Sequence, residues 1–156
     1  MRNIHHPNLC KLQHVYESEN SYYICMAHYE GGTLLDRHLK EALSFSAARD
    51  VIQQVLAALR YLHKRGFVHR DVKPENILMQ KNGCNDIVII DFGLAANMNE
   101  NANLHLKCGT PGYVAPEIFK SSSTNPYTEQ CDIFSAGILL YWLLTRKLPY
   151  TAKNEQ

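Results

Sequence analysis

His69-Arg70-Asp71-Val72-Lys73-Pro74-Glu75-Asn76-Ile77-Leu78 places an acid (Asp71), a base (Lys73) and an oxygen-bearing amide (Asn76) within a few residues of one another. The stretch lies between an apolar helical segment and a short strand-like run. Twenty positions after Asp71 a second acid opens Asp91-Phe92-Gly93, behind the apolar run Ile87-Val88-Ile89-Ile90. Two acids, a lysine and an asparagine, all on turns after hydrophobic elements, make a donor set suited to a magnesium-bound phosphate ester. Taken singly, Asp71 and Asp91 would serve equally well as turn caps. The reading rests on all four together.

Working outward, Ala48 to Leu62 carries Val51, Ile52, Val55, Leu56, Leu59 and Leu62 at helical spacing, with Arg49, Asp50, Gln53, Gln54 and Arg60 opposite. This predicts an amphipathic helix with N-cap candidates at Ser44 and Ser46 and a stop at Gly66. Upstream, Lys11–Glu17 and Tyr22–Ala27 read as a hairpin, and Leu34–Lys40 as a short helix after the Gly31-Gly32 break. Downstream, Ile77–Met79 and Ile87–Ile90 read as strands joined by a turn over 81–86 that contains Asn82-Gly83. Leu94–Lys107 is asparagine-rich and aperiodic, which predicts a mobile loop. Ala115–Lys120 begins a short helix, Ser121–Asn125 is a polar loop, and Tyr127–Arg146 is the most apolar helix.

The length of 156 residues fits one domain, and 46% hydrophobic with 20% charged residues fits a globular chain. A net charge of +1 gives no electrostatic case for a nucleic-acid or membrane-surface partner. The run Ile133–Leu144 is shorter than the ~20 residues that span a bilayer, so a buried core helix is expected. Five cysteines without a CxxC pair fit a reducing compartment, and the N-terminus has no signal-peptide core; a cytoplasmic or nuclear location is expected. His5, His6, Cys10 and His14 match no zinc spacing and read as loop and strand positions.

From about His6 to Pro149 the chain resembles the central part of a serine/threonine protein kinase catalytic domain, closest to the calcium/calmodulin-dependent group. The resemblance is carried, in family order, by HPNL (His6–Leu9), EGGTLLD (Glu30–Asp36), HRDVKPEN (His69–Asn76), DFG (Asp91–Gly93), GTPGYVAPE (Gly109–Glu117) and DIFSAG (Asp132–Gly137). It implies an α+β kinase-like fold: a remnant hairpin of the small lobe over 1–27, then the hinge and helical large lobe over 28–156. It also implies ATP and Mg2+ as cofactors and a protein substrate; the residues name no regulatory partner.

By this resemblance Asp71 orients the substrate hydroxyl, Lys73 steadies the transferring phosphoryl group, and Asn76 and Asp91 hold magnesium. Thr110 contacts the catalytic aspartate and lysine. Met26 stands at the gatekeeper position, Ala27 and His28 on the hinge, Glu30 at the ribose, and Leu78 beneath the adenine; Glu75 completes the nucleotide-contacting set. Where the family often has glutamate this chain has Ala27, which leaves backbone recognition intact. Asp132 matches the aspartate that braces the catalytic loop, with Phe134 in place of the usual tryptophan. Leu12, His69 and Phe92 match an apolar stack linking the lobes.

The glycine-rich loop, the strand lysine, the helix glutamate and the last helices of the family fall outside these residues. The expectation is a partial domain, inactive and prone to association when expressed alone, with a non-catalytic binding or regulatory module as the alternative. In the family, Arg70 would receive a phosphothreonine from the activation loop. Leu94–Lys107 holds no serine, threonine or tyrosine, and Leu106 occupies the phosphosite position. Ordering without phosphate is therefore expected, with Glu100 or a packed Leu106 contributing.

Overall fold

The computed structural model describes residues 4–100, 104, 106–122 and 126–150. Its frame is two helices, α2 (Phe45–His63) and α4 (Gln130–Thr145), packed against each other. The periodic face of α2 is buried at Val51, Val55, Ala58, Leu59 and Leu62, and α4 meets it with Ala136, Leu139, Trp142 and Leu143. Helix α2 begins at Phe45, earlier than expected, because Ser44 Oγ accepts the Ala47 N–H at 3.2 Å and caps it. Leu56, counted among the apolar positions, is exposed. Helix α4 begins at Gln130 rather than Tyr127, since the Tyr127 N–H turns away to Leu104 O at 3.2 Å.

The strands pair in three separate two-stranded sheets. β1 (Leu12–Ser18) and β2 (Ser21–Met26) form the expected antiparallel hairpin, one residue displaced at its ends and irregular between Leu12 and His14. Both strands are largely exposed. α1 (Leu34–Lys40) follows, capped by Thr33 Oγ1 on the Asp36 N–H. β3 (Phe67–Val68) leads into the stretch His69–Asn76. β4 (Ile77–Met79) pairs antiparallel with β5 (Ile87–Ile89), which ends one residue early because the Ile90 N–H bonds Asn76 O. β4 and β5 are the buried floor of the main core.

Residues upstream of the hairpin dock on this floor. Leu9 bridges Ile89 in parallel, and Asn8 Nδ2 bonds both Gln54 Oε1 and Ile87 O. The hinge is held by the Thr33–Leu78 bridge and by the Met79 N–H on Gly32 O at 2.9 Å. Gly31 passes so close to β4 that a Cβ there would sit 2.5 Å from Met79 Cβ and Met79 O.

The segment expected to be a mobile loop, Leu94–Lys107, is structured over its described part. β6 (Ala96–Asn97) pairs with β3, a 3-10 turn covers Met98–Glu100, and Leu104 is buried. A second core of Val68, Ala96, Leu104, Ala115, Ile118, Tyr127 and Cys131 lies beneath it. Aperiodic sequence hid this because its strand pairing and its core partners come from distant elements. α3 (Pro116–Lys120) has proline in its first turn, where no intrahelical N–H is needed.

Candidate active site

The stretch 69–76 is anchored from below by one residue of α4. Asp132 is fully buried; its Oδ1 accepts the Arg70 N–H and its Oδ2 the His69 N–H, each at 2.8 Å. His63 Nε2 lies 2.8 Å from the same Oδ2, at the end of α2. Three donors thus converge on one carboxylate, the arrangement that makes a buried charge tolerable. Arg70 is bent into the left-handed region at φ 71°, and Asp91 takes φ 59°. For a bulky side chain such as Arg70 this conformation costs energy that the surrounding contacts must offset.

His69 is buried, with its ring 5.2 Å from Phe92. Its Nδ1 accepts the Asp71 N–H and its Nε2 faces Ile90 O, so the ring is neutral with its proton on Nε2. Burial lowers its pKa, outweighing the raising effects of Asp132, Ile90 O, Asp71 and Asp91.

Asp71 stands at the centre of a closed set of polar contacts. Thr110 Oγ1 donates to Asp71 Oδ1 at 2.6 Å and accepts from Lys73 Nζ at 2.7 Å. Lys73 Nζ pairs with Asp71 Oδ2 at 2.8 Å, and Asn76 Nδ2 donates to the same oxygen and to Asp71 O. Burial alone would raise the Asp71 pKa, but the bonds from Lys73, Thr110 and Asn76 and the lysine charge outweigh it, holding the carboxyl below its usual value. It is ionised at neutral pH.

Asn76 Nδ2 is spent on Asp71, so its amide oxygen remains as a donor; the Ile90 N–H on Asn76 O keeps Asn76 beside Asp91. Asp91 Oδ1 accepts the Gly93 N–H. An amide oxygen and a carboxylate are hard donors that fit Mg2+, which keeps several waters and shares its coordination with phosphate oxygens.

Met26 and Asp91 line one cleft of about 520 Å³ together with Cys10, Leu12, Val15, Tyr22, Ile24, Phe92 and Gly93. Ala27, His28 and Glu30 are not part of that lining; they sit on the hinge, with His28 and Glu30 exposed. Leu78 is half-buried beside the hinge through its bridge to Thr33. Glu75 is exposed on the 3-10 turn Pro74–Asn76. The structure therefore gathers Asp71, Lys73, Asn76 and Thr110 into direct contact and places Asp91 next to them, while the nucleotide-contacting set divides between hinge and cleft.

Sequence reasoning missed His63 and Tyr127. His63 ends the amphipathic helix, one residue past its last apolar position Leu62. Tyr127 preceded the apolar helix and looked like part of it, yet its hydroxyl accepts from Arg70 Nη1 at 2.6 Å. An expectation also needs correction: Leu106 is exposed rather than packed, and Leu104 is the buried leucine of that segment. The side chain of Glu100 lies outside the described residues.

Comparison with known proteins identifies the family. The family model described as "Protein kinase domain" matches residues 1–156. The chain is 41% identical over 151 residues to calcium-dependent protein kinase 6 of Plasmodium berghei (strain Anka), covering 96% of this chain and 10% of that protein. It is 40% identical over 157 residues to CBL-interacting serine/threonine-protein kinase 20 of Arabidopsis thaliana, covering 99% of this chain and 35% of the relative. The chain thus spans between a tenth and about a third of these curated relatives. Among solved structures it is similar to Rad53 1-466 in complex with AMP-PNP, with a TM-score of 0.82, 35% identity, and coverage of 99% of this chain and 38% of that one. The fold is the protein kinase fold, and the chain belongs to the protein kinase family.

Proposed function

We propose that these residues form the large-lobe side of an ATP-dependent serine/threonine protein kinase site, which moves the γ-phosphoryl group of ATP to a hydroxyl of a protein substrate. The observation that carries this is the Asp71 carboxylate, held ionised within bonding distance of Lys73, Thr110 and Asn76. Phosphoryl transfer needs positioning and charge neutralisation more than covalent chemistry from the protein. The Asp71 carboxylate orients the substrate hydroxyl and receives its proton as the new oxygen–phosphorus bond forms and the bond from the γ-phosphorus to the bridging oxygen breaks, releasing ADP. Lys73, already fixed by Asp71 and Thr110, offers its remaining hydrogen to the moving phosphoryl group. Asn76 and Asp91 are the residues that would hold magnesium, which supplies charge neutralisation on the phosphates. Thr110 ties the segment that would receive the peptide to the catalytic loop, and Lys73 with Thr110 favours a serine or threonine acceptor.

The test uses the native polypeptide that carries these residues, with labelled ATP, magnesium and a generic protein substrate. Expected are phosphoserine or phosphothreonine, loss of labelling with EDTA, and a drop of about 10²–10⁴-fold for Asp71→Asn, the range for a positioned acid–base group. Labelling that survives Asp71→Asn undiminished, or its absence with magnesium and ATP, overturns the proposal and favours a binding module.

A further inference from the structure

Arg70 is a buried charge held at a left-handed backbone position. Its guanidinium reaches segment 94–110 directly at Leu94 and, through Tyr127, at Leu106. Arg70 Nε donates to Leu94 O, and Arg70 Nη1 donates to the Tyr127 hydroxyl at 2.6 Å. That hydroxyl in turn donates its one proton to Leu106 O at 3.1 Å, and its remaining lone pair faces Cys108 Sγ at 3.7 Å. The Tyr127 N–H takes Leu104 O at 3.2 Å. A single residue ahead of α4 therefore grips the segment at positions 104 and 106 and joins it to the catalytic loop. The ring is buried in the second core beside Ala96 and Leu104, so the hydroxyl is aimed by packing. Burial pushes its pKa up to about 12, against the lowering effect of Arg70, so it keeps the proton it donates.

Resting on the kinase reading above, we propose that Tyr127 is a positioning residue: its hydroxyl fastens Leu106, beside the Leu104 held by its N–H, to Arg70, so that these positions reach their working geometry without a phosphate. The sequence agrees in that 94–107 offers no hydroxyl side chain to phosphorylate. The fastening also explains why Leu106 can be exposed: its carbonyl, not its side chain, is the group being held. Tyr127→Phe keeps the ring and the Leu104 bond and removes only the hydroxyl. It removes one acceptor of Arg70 Nη1 and the donor to Leu106 O.

The experiment compares wild type and Tyr127→Phe in the native polypeptide by steady-state kinetics and by amide hydrogen exchange. Expected are a kcat about tenfold lower with the KM for ATP within about twofold, and exchange about tenfold faster in 94–107, with α2 unchanged; one hydrogen bond has roughly this worth. Phosphatase treatment of the wild type leaves kcat as it was. Unchanged exchange in 94–107, faster exchange in α2 as well, or activity lost to phosphatase each overturns the proposal. The exchange result stands without catalysis, so a wild type lacking magnesium-ATP transfer removes the kinase reading while the fastening is still judged.

Discussion

Asp132→Asn isolates what the buried carboxylate does for the loop His69–Asn76. An asparagine keeps the shape but has one oxygen and one NH2 group in place of two oxygens. If its oxygen stays opposite the Arg70 N–H, its NH2 faces the His69 N–H, two donors about 2.8 Å apart where Oδ2 stood. His63 can change tautomer and accept from that NH2, so this contact survives. The His69 N–H is left unsatisfied in a buried site, at about 1–3 kcal/mol, and the Arg70 bond loses its charge assistance, at about 1 kcal/mol more. The sum, about 2–4 kcal/mol, is a large share of the ~5–15 kcal/mol that stabilises a domain. With a urea slope of about 1–3 kcal/mol per M, the midpoint falls by on the order of 1 M. Trp142, the one tryptophan of the chain, lies on the same helix and reports unfolding by its emission. The melt is read at submicromolar concentration to suppress association, alongside exchange at the amides of 67–76. A midpoint within about 0.2 M of wild type, with no faster exchange at His69 and Arg70, refutes the brace.

Thr110→Val removes the hydroxyl that joins Asp71 to Lys73. In the native polypeptide kcat is expected to fall at least about tenfold with little change in the KM for ATP; equal kcat values contradict the role given to Thr110. His38 is buried on α1 against Trp142, ring centroids 4.6 Å apart, and burial with nearby Arg146 and Arg37 lowers its pKa. The unfolded chain therefore binds the proton first, so stability is present above pH ~6.5 and is lost as pH falls below it. His38→Leu is expected to flatten the fall in urea midpoint between pH 7.5 and 5.5, leaving the His6 and His69 shares; an unaltered slope excludes His38. Gly31→Ala puts a methyl group 2.5 Å from Met79 and is expected to cost about 1–3 kcal/mol. A Tm equal to wild type counts against the close hinge contact.

The helices were legible because each carries its own signal: the 3.6-residue period of α2, the cap at Ser44, the uniform apolarity of α4. The short strands β3 and β6 were not, since two residues have no period and their pairing joins Val68 to Ala96 across the catalytic stretch. The same holds for the site. Asp71, Lys73, Asn76 and Asp91 announce themselves as a local set of acids, base and amide. His63 and Tyr127 do their work through partners 69 and 57 residues away, Asp132 and Arg70, and nothing adjacent to them in sequence marks that.

The distance between His69 and its brace has a consequence for synthesis. Asp132 follows His69 by 63 positions. At ~5–20 residues per second the ribosome makes that interval last roughly 3–13 s. β5 ends at Ile89, so for most of that interval Asp71 lies on an unbraced loop next to β4 and β5 strands that are already complete. Chaperone occupancy on stalled nascent chains should therefore drop once position 132 has cleared the exit tunnel, and not when the Asp91 turn does.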